Sequence, residues 1–326
     1  MQESLKDKSR GGYYIVDSHC DTLSRAWKMH RDLDILPPPA QSDLGRMRTA
    51  GVNLQFLSVF VDLNSRPPSL REYLQQIEFF HQQMEKYAKI VRPVCIVSDI
   101  DQAKKKGQLA ALLCIEGGEA LQGDLVLLQA FYRLGVRSLG LTWNCRNALA
   151  DGVGERNTRG GLTSFGRSVV REMNRLGMLI DVSHLSEAGF WDVLEISSSP
   201  VIASHSNCQS VHDHPRNLTD EQLKGLAKNG GAVGITLVNQ FLGPERPRPS
   251  LQAVLEHLEH AASIMGLEHV GIGTDFDGVD EPVQELEEVT KLPLLIEGML
   301  NQGFTEGMIR KIMGENYLQI INQVLK

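Results

Sequence analysis

The residues of this chain best suited to chemistry are three histidines and three carboxylates, each set at the end of a short apolar run. His19 and Asp21 follow the run 13–16. Glu116 follows 109–115, His184 follows 178–182, His205 follows 200–203 and Asp275 follows 270–273. Residues two apart in an extended chain point to the same side, so His19 and Asp21 can reach one cation. Imidazole and carboxylate are donor types that suit zinc. Six such groups aimed at one pocket repel and desolvate one another unless a cation compensates. With one carboxylate shared they suffice for two metals roughly 3.5–4 Å apart. Taken singly, each has a blander reading. His-x-Asp is a surface pair, the stretch from Gly271 to Gly278 is a strand followed by an Asp-Gly turn, and any one histidine is a satisfied core residue. Five runs that all end in metal-type residues make coincidence the weaker account.

The elements that must position these groups alternate along the chain. After the first run comes a proline-rich loop over 33–40, then a short helix over 42–50 with Ser42 as its N-cap. A strand centred on 54–61 is broken by Arg66-Pro67-Pro68-Ser69. A helix over 69–90 sets Leu70, Leu74, Ile77, Phe80 and Met84 on one side. The stretch 94–108 reads as an additional excursion, and its basic run Lys104-Lys105-Lys106 as a solvated helix end. Strand 109–115 and a helix over 125–134 follow, then strand 136–141, which ends in Thr142-Trp143-Asn144. The Gly-, Asn- and Arg-rich segment 146–162 reads as a loop on the substrate side. A helix over 163–176 is closed by Gly177, and strand 178–182, a helix over 190–196 and strand 200–203 come next. His212 to Asn217 form a polar loop. Thr219 and Gln222 make a capping box for the next helix. Strand 232–238, a helix over 251–265, strand 270–273 and helical stretches over 292–300, 305–313 and 315–325 complete the chain.

Eight strands alternating with helices predict an α/β fold, a closed (β/α)8 TIM barrel forming one domain over 1–326, with the metal-type residues at the C-terminal mouth of the strands. The chain exceeds the roughly 250 residues typical of that fold. The surplus is assigned to the N-terminal arm, the excursion at 94–108 and the last helices. The runner-up, an open doubly wound sheet, lacks both a Gly-x-Gly-x-x-Gly after the first strand and a Walker loop.

Composition narrows the class. A net charge of -7 over 326 residues argues against nucleic acid or an anionic membrane as partner. No apolar run approaches transmembrane length, and residues 1–10 lack the apolar core of a signal peptide. Five cysteines in unrelated contexts do not make a disulfide framework, so a cytoplasmic location is expected. Cys20, Cys114, Cys145 and Cys208 read as small apolar fillers near the barrel mouth.

Several strings carry a family likeness. They are Val16-Asp17-Ser18-His19-Cys20-Asp21, Ile115-Glu116-Gly117, Asp181-Val182-Ser183-His184, Ser204-His205-Ser206, Gly273-Thr274-Asp275-Phe276-Asp277-Gly278 and, near the C-terminus, Gly314-Glu315-Asn316-Tyr317-Leu318. Through them the sequence resembles the membrane (renal) dipeptidase family of the amidohydrolase superfamily, over nearly its whole length. The resemblance implies two divalent metal ions, Zn2+ by preference. His19 and Asp21 would hold one, His184 and His205 the other, and Glu116 would bridge them. Asp275 would shuttle the proton of the bridging water, and Arg216 would take the terminal carboxylate of a dipeptide substrate, a task that suits a forked guanidinium. Departures stand beside the likeness. Trp143 occupies a place where some family members carry a histidine that contacts the substrate carbonyl, which leaves Asn144 or a metal for that role. Gln319 stands where the C-terminal signature often has arginine. The signal peptide and lipid-anchor signal of the family's secreted members are not found in this sequence.

The reading is therefore a binuclear zinc dipeptidase acting through a metal-bridging hydroxide, with a small dipeptide as partner and a homodimer left open. Hydrolysis of another small amide, an N-acyl amino acid or a lactam, uses the same groups. A non-catalytic scaffold on the same barrel ranks lower, because all six candidate residues are present.

Overall fold

Every residue of the run Leu109–Ile115 is buried, and its side chains divide between two cores. Leu109, Ala111, Leu113 and Ile115 join the layer between strands and helices, whereas Ala110, Leu112 and Cys114 point into the centre. This two-residue alternation, apolar on both faces, is what a parallel strand inside a barrel requires. The computed structural model describes residues 12–62 and 69–326. The expectations for residues 1–10 and for the Arg66-Pro67-Pro68 break lie outside them.

The described strands are β1 (Ile15–Cys20), β2 (Val52–Val59), β3 (Val91–Pro93), β4 (Leu109–Ile115), β5 (Val136–Gly140), β6 (Leu179–Asp181), β7 (Ile202–Ala203), β8 (Ala232–Ile235) and β9 (Val270–Ile272). All pair in parallel. The order β2-β1-β9-β8-β7-β6-β5-β4 is closed by pairing of β2 with β4, from Leu54 opposite Ala110 to Val59 opposite Ile115. The result is a (β/α)8 barrel, as expected from the alternation. β3 stands outside this ring of eight and pairs only with β4, Val91 lying opposite Leu109.

The excursion at 94–108 is part of the barrel's closure. Its helix, Val97–Lys106, buries Ile100 and Ala103 in the same cluster as the inward-facing Leu54, Phe56 and Leu112. The last helix, Asn316–Val324, adds Tyr317, Ile320 and Ile321 to that cluster. Tyr317 fills space that side chains on β8 and β9 would otherwise occupy. A Cβ on Gly271 would lie 2.3 Å from its ring, and one on Gly234 2.8 Å from its hydroxyl. Gly314, in the π-helical turn Lys311–Glu315, presses on the chain entering β1, where a Cβ would meet the Tyr14 carbonyl oxygen at 2.0 Å. Together these two helices floor the barrel at the end opposite the strands' C-termini.

Some local expectations shift. The first strand runs on to Cys20, so His19 lies within it. The short helix Leu44–Thr49 is capped by Asp43 rather than Ser42, because the Asp43 carboxylate accepts from the Arg46 amide at 2.8 Å and binds the Arg46 side chain as well. In Leu70–Lys86, Leu74 is 41% exposed while Ile77, Phe80 and Met84 are buried. The helix expected over 305–313 is short, Glu306–Arg310, and runs through the π turn into the last helix. Helix Leu251–Met265, the Thr219–Gln222 capping box and the left-handed Gly177 cap match their expectations. The cysteines are all free; Cys145 is exposed and so is no filler. Among the described residues no helix is long and apolar enough to cross a membrane.

Candidate active site

Five strand ends deliver the predicted groups to one mouth. His19 lies in β1 and Asp21 just beyond it, Glu116 follows β4, His184 follows β6, His205 follows β7 and Asp275 follows β9. His19, Asp21, Glu116, His184 and His205 are buried, and Asp275 is half-buried. His19 Nε2 lies 3.6 Å from Asp21 Oδ2, 3.5 Å from Glu116 Oε2 and 3.7 Å from Asp275 Oδ1. The other Glu116 oxygen, Oε1, is 2.9 Å from His184 Nε2 and 3.8 Å from His205 Nε2. Glu116 thus faces two groups of donors with its two oxygens.

Behind these groups stands a layer that aims them, and motif reading assigned it no role. Asp17, fully buried, accepts from the Thr274 amide at 2.8 Å and the Thr274 hydroxyl at 2.7 Å, so β1 fixes the turn that carries Asp275. Asp181 accepts from the amides of Ser183 and Ser204 and from the Ser204 hydroxyl. Its position, like that of Asp17, just upstream of a strand-end histidine was the available signal. Asp277, close to Asp275 in sequence, is committed to Thr22 and to the Gln41 amide, which leaves Asp275 as the acid facing the cluster. His184 and Asp275 adopt left-handed backbones, φ 67° and 62°, a conformation uncommon for such residues outside functional turns. Gly278 makes the Asp275 turn possible, since a Cβ there would lie 2.3 Å from Asp275 Oδ1 and 2.4 Å from Asp21 Oδ2.

The hydrogen bonds also set the histidine tautomers. The Ser204 hydroxyl donates to Asp181, so its oxygen accepts from His205 Nδ1 at 2.8 Å. The Asn144 amide oxygen accepts from His184 Nδ1 at 2.8 Å. Both neutral rings therefore turn the Nε2 lone pair inward, and these atoms lie 2.8 Å apart. Facing lone pairs repel unless a cation or proton lies between them. His19 Nε2 and Asp21 Oδ1 are likewise buried without a hydrogen-bond partner. His19, Asp21 and Asp275 form one group of donor atoms close enough to share an ion, and Glu116, His184 and His205 form another. The residues fit a metal centre with oriented histidines and their supporting hydrogen bonds.

Charges in the cluster are strongly interdependent. Burial opposes the charge on His19, but Glu116 and Asp21 outweigh it and raise its pKa well above 6.5. Burial raises Glu116, yet His19 and His184 hold it well below 4.5. Asp275 is lifted well above 3.8 by burial, which His19 opposes and Asp21 and Glu116 reinforce. Burial and Arg216 bring His184 down to about 4, and burial with His19 takes His205 well below 6.5.

Arg216 is not the exposed loop arginine its neighbours in sequence suggest. Only 6% of it is exposed. Nη2 donates to the His205 carbonyl at 3.1 Å, Nε has no partner, and the guanidinium carbon lies 5.3 Å from the Phe241 ring. Burial lowers its pKa only to about 10, so it remains a cation. The mouth opens into a cavity of about 1180 Å³ lined by Glu116, Trp143, Asn144, His184, Arg216 and Asp275 among others. Asn144 shares in the cavity wall, but its oxygen is engaged behind His184.

The sequence pattern of the membrane dipeptidases, peptidase family M19, matches residues 11–326. The chain belongs to the membrane dipeptidase family. It is 36% identical over 297 residues to dipeptidase verJ of Clonostachys rogersoniana, covering 87% of this chain and 76% of that one. A protein of Klebsiella pneumoniae encoded in the pqqA 5' region is 36% identical over 258 residues, 77% of this chain and 95% of that one. Among solved structures, a metallopeptidase from Rhodobacter sphaeroides, liganded with a phosphinate mimic of the dipeptide L-Ala-D-Ala, superposes with a TM-score of 0.89 at 28% identity, over 96% of this chain and all of that one. Membership makes this dipeptidase-family chain a metallo-dipeptidase hydrolase.

Proposed function

We propose that this protein is a binuclear, zinc-dependent dipeptidase selective for dipeptides with a free C-terminal carboxylate. In this reading His19 and Asp21 hold one ion, His184 and His205 hold the other, and Glu116 serves both. Bound divalent ions would supply Lewis acidity, lowering the pKa of water and polarising the scissile carbonyl. The protein's own groups do the rest. Arg216 grips the terminal carboxylate and so sets the length of chain that fits between it and the cluster. Asp275 takes the proton of the attacking water and returns it to the leaving amine, a role suited to a carboxylate that faces the cluster 3.7 Å from His19 Nε2. Asn144 keeps His184 in its ligating tautomer and borders the substrate space.

The observation that carries the carboxylate specificity is Arg216, a buried cation with an unpartnered Nε beside the imidazole–carboxylate cluster. The dipeptide mimic bound by the Rhodobacter enzyme agrees with it. The test compares free-acid and C-terminally amidated dipeptides before and after chelation, with Zn2+ returned afterwards. Free acids are expected to be cleaved far faster, and activity is expected to vanish on chelation and return with metal. Two charge-assisted bonds, each worth about 1.5–3 kcal/mol, set the scale of the difference. Arg216→Met erases the preference and Arg216→Lys recovers part of it. Equal kcat/KM for acid and amide in the wild type would refute the clamp and favour a general small-amide hydrolase.

A further inference from the structure

We infer that Trp143 and Phe60 form a shelf that selects dipeptides whose N-terminal residue carries an aromatic or large apolar side chain. The inference rests on the dipeptidase reading and specifies its substrate class. Phe60 directly follows β2 and Trp143 follows β5 by three residues. Both are half-buried and line the cavity. Their ring centroids are 5.5 Å apart, and the Trp143 ring lies 6.1 Å from that of His184. The two rings thus make a continuous apolar surface that starts at the cluster and leads outward. Lys28 ends it, its ammonium 5.4 Å from the centre of the Phe60 ring.

The ring of strands says which end of the substrate meets this surface. Around the barrel the order is β1, β2, β4, β5, β6, β7, β8, β9. β2 and β7 are four places apart in a ring of eight and so lie on opposite sides. Arg216 belongs to the loop after β7, and Phe60 to the segment after β2. A dipeptide whose carboxylate is held by Arg216 and whose carbonyl lies at the cluster must extend its N-terminal residue toward β2. The side chain of that residue then lies against Trp143 and Phe60. Offset or edge-to-face contact with two rings favours an aromatic partner, and apolar area is removed from water for any large aliphatic one. A lysine or arginine side chain would instead meet the like charge of Lys28.

The experiment uses full-length, zinc-loaded protein and free-acid dipeptides Xaa-Ala with Phe, Trp, Leu, Ala or Lys in the first place. A second series, Ala-Xaa, varies the other residue. Phe-Ala is expected to exceed Ala-Ala in kcat/KM by about tenfold, with Lys-Ala below Ala-Ala. Trp143→Ala and Phe60→Ala should each pull the Phe-Ala to Ala-Ala ratio toward one, Trp143→Phe should keep much of it, and the ratios of the Ala-Xaa series should not move. Because each readout is a ratio within one variant, partial loss of folded protein does not imitate the effect. A flat first series in an active wild type, or ratios unmoved by both alanine variants, overturns the shelf and leaves the dipeptidase reading standing. Failure of wild type to cleave any member of either series removes both.

Discussion

Asp17 touches no substrate, yet the direction in which Asp275 points depends on it. Its carboxylate receives both the amide and the hydroxyl of Thr274, a residue 257 positions away. The two bonds fall on different carboxylate oxygens, and an asparagine puts an NH2 donor in place of one of them, so it must face the Thr274 amide or force the hydroxyl to turn. Asp17→Asn is expected to lower kcat more than it raises KM and to cost about 1–3 kcal/mol of stability, measurable by denaturant titration beside steady-state kinetics. Unchanged kcat would show that the Asp275 turn holds itself. Asp275→Asn tests the acid directly. Both metals should remain by elemental analysis while kcat falls by about 10²–10⁴; loss of metal would make Asp275 a ligand instead. The contrast between these two aspartates marks what the sequence could disclose. His19, Asp21, Glu116, His184, His205 and Asp275 were legible because ligand-type residues stood at the ends of apolar runs. The roles of Asp17 and Asp181 were not, because their partners are backbone amides and hydroxyls brought close only by closure of the barrel. The burial of Arg216 was not legible either, since burial of a loop side chain depends on neighbours such as Phe241 that pattern does not place.

At the scale of elements, the turn after β9 carries two aspartates with left-handed backbones, Asp275 and Asp277. Gly278 is required there by the approach of two carboxylates to the position of its missing Cβ. Gly278→Ala must push Asp275 or Asp21 aside, and metal affinity is expected to fall by about 10–100-fold, the usual effect of disturbing groups that orient a metal's ligands. Competition with a chromogenic chelator measures it; an unchanged dissociation constant would mean that the turn yields without moving either acid. Long amphipathic elements were the easiest to read. Helix Leu251–Met265 has enough turns for its apolar stripe to fix both ends. Short elements were harder. β7 has two paired residues, too few for any periodicity, and the N-cap expected at Ser42 falls instead on Asp43, which the Arg46 contacts select. The excursion at 94–108 was visible as a surplus, but its place beneath the barrel follows from packing of Ile100 and Ala103 among residues from distant strands.

For the whole molecule, the cluster makes stability depend on metal and pH together. Zinc that binds only the folded chain adds about 2.7 kcal/mol at a hundredfold excess over its Kd. For a chain of 326 residues that raises Tm by roughly 4 °C. Without metal, the raised pKa values of His19 and Asp275 contribute stability present at low pH and lost as pH climbs through those raised values. His184 and His205, whose values are lowered, are neutral in the folded chain with or without metal, so above pH 6.5 they do not change the difference between the two forms. The gap in Tm between zinc-loaded and chelated protein should therefore widen from pH 6.5 upward, as followed by scanning calorimetry; a gap that narrows would mean the protons on His19 and Asp275 do not compete with the ion. The barrel floor has a consequence of another kind, in the order of synthesis. Tyr317 fills the space left by Gly234 and Gly271, yet it follows the end of β9 at Ile272 by 45 residues. At ordinary rates of translation that interval is roughly 2–9 s. During it every strand of the ring has been made while the cavity above those two glycines has no occupant. A nascent chain halted within this interval should remain open to proteases that the finished one resists, and the last helix, far from the chemistry, would be the part that ends that exposure.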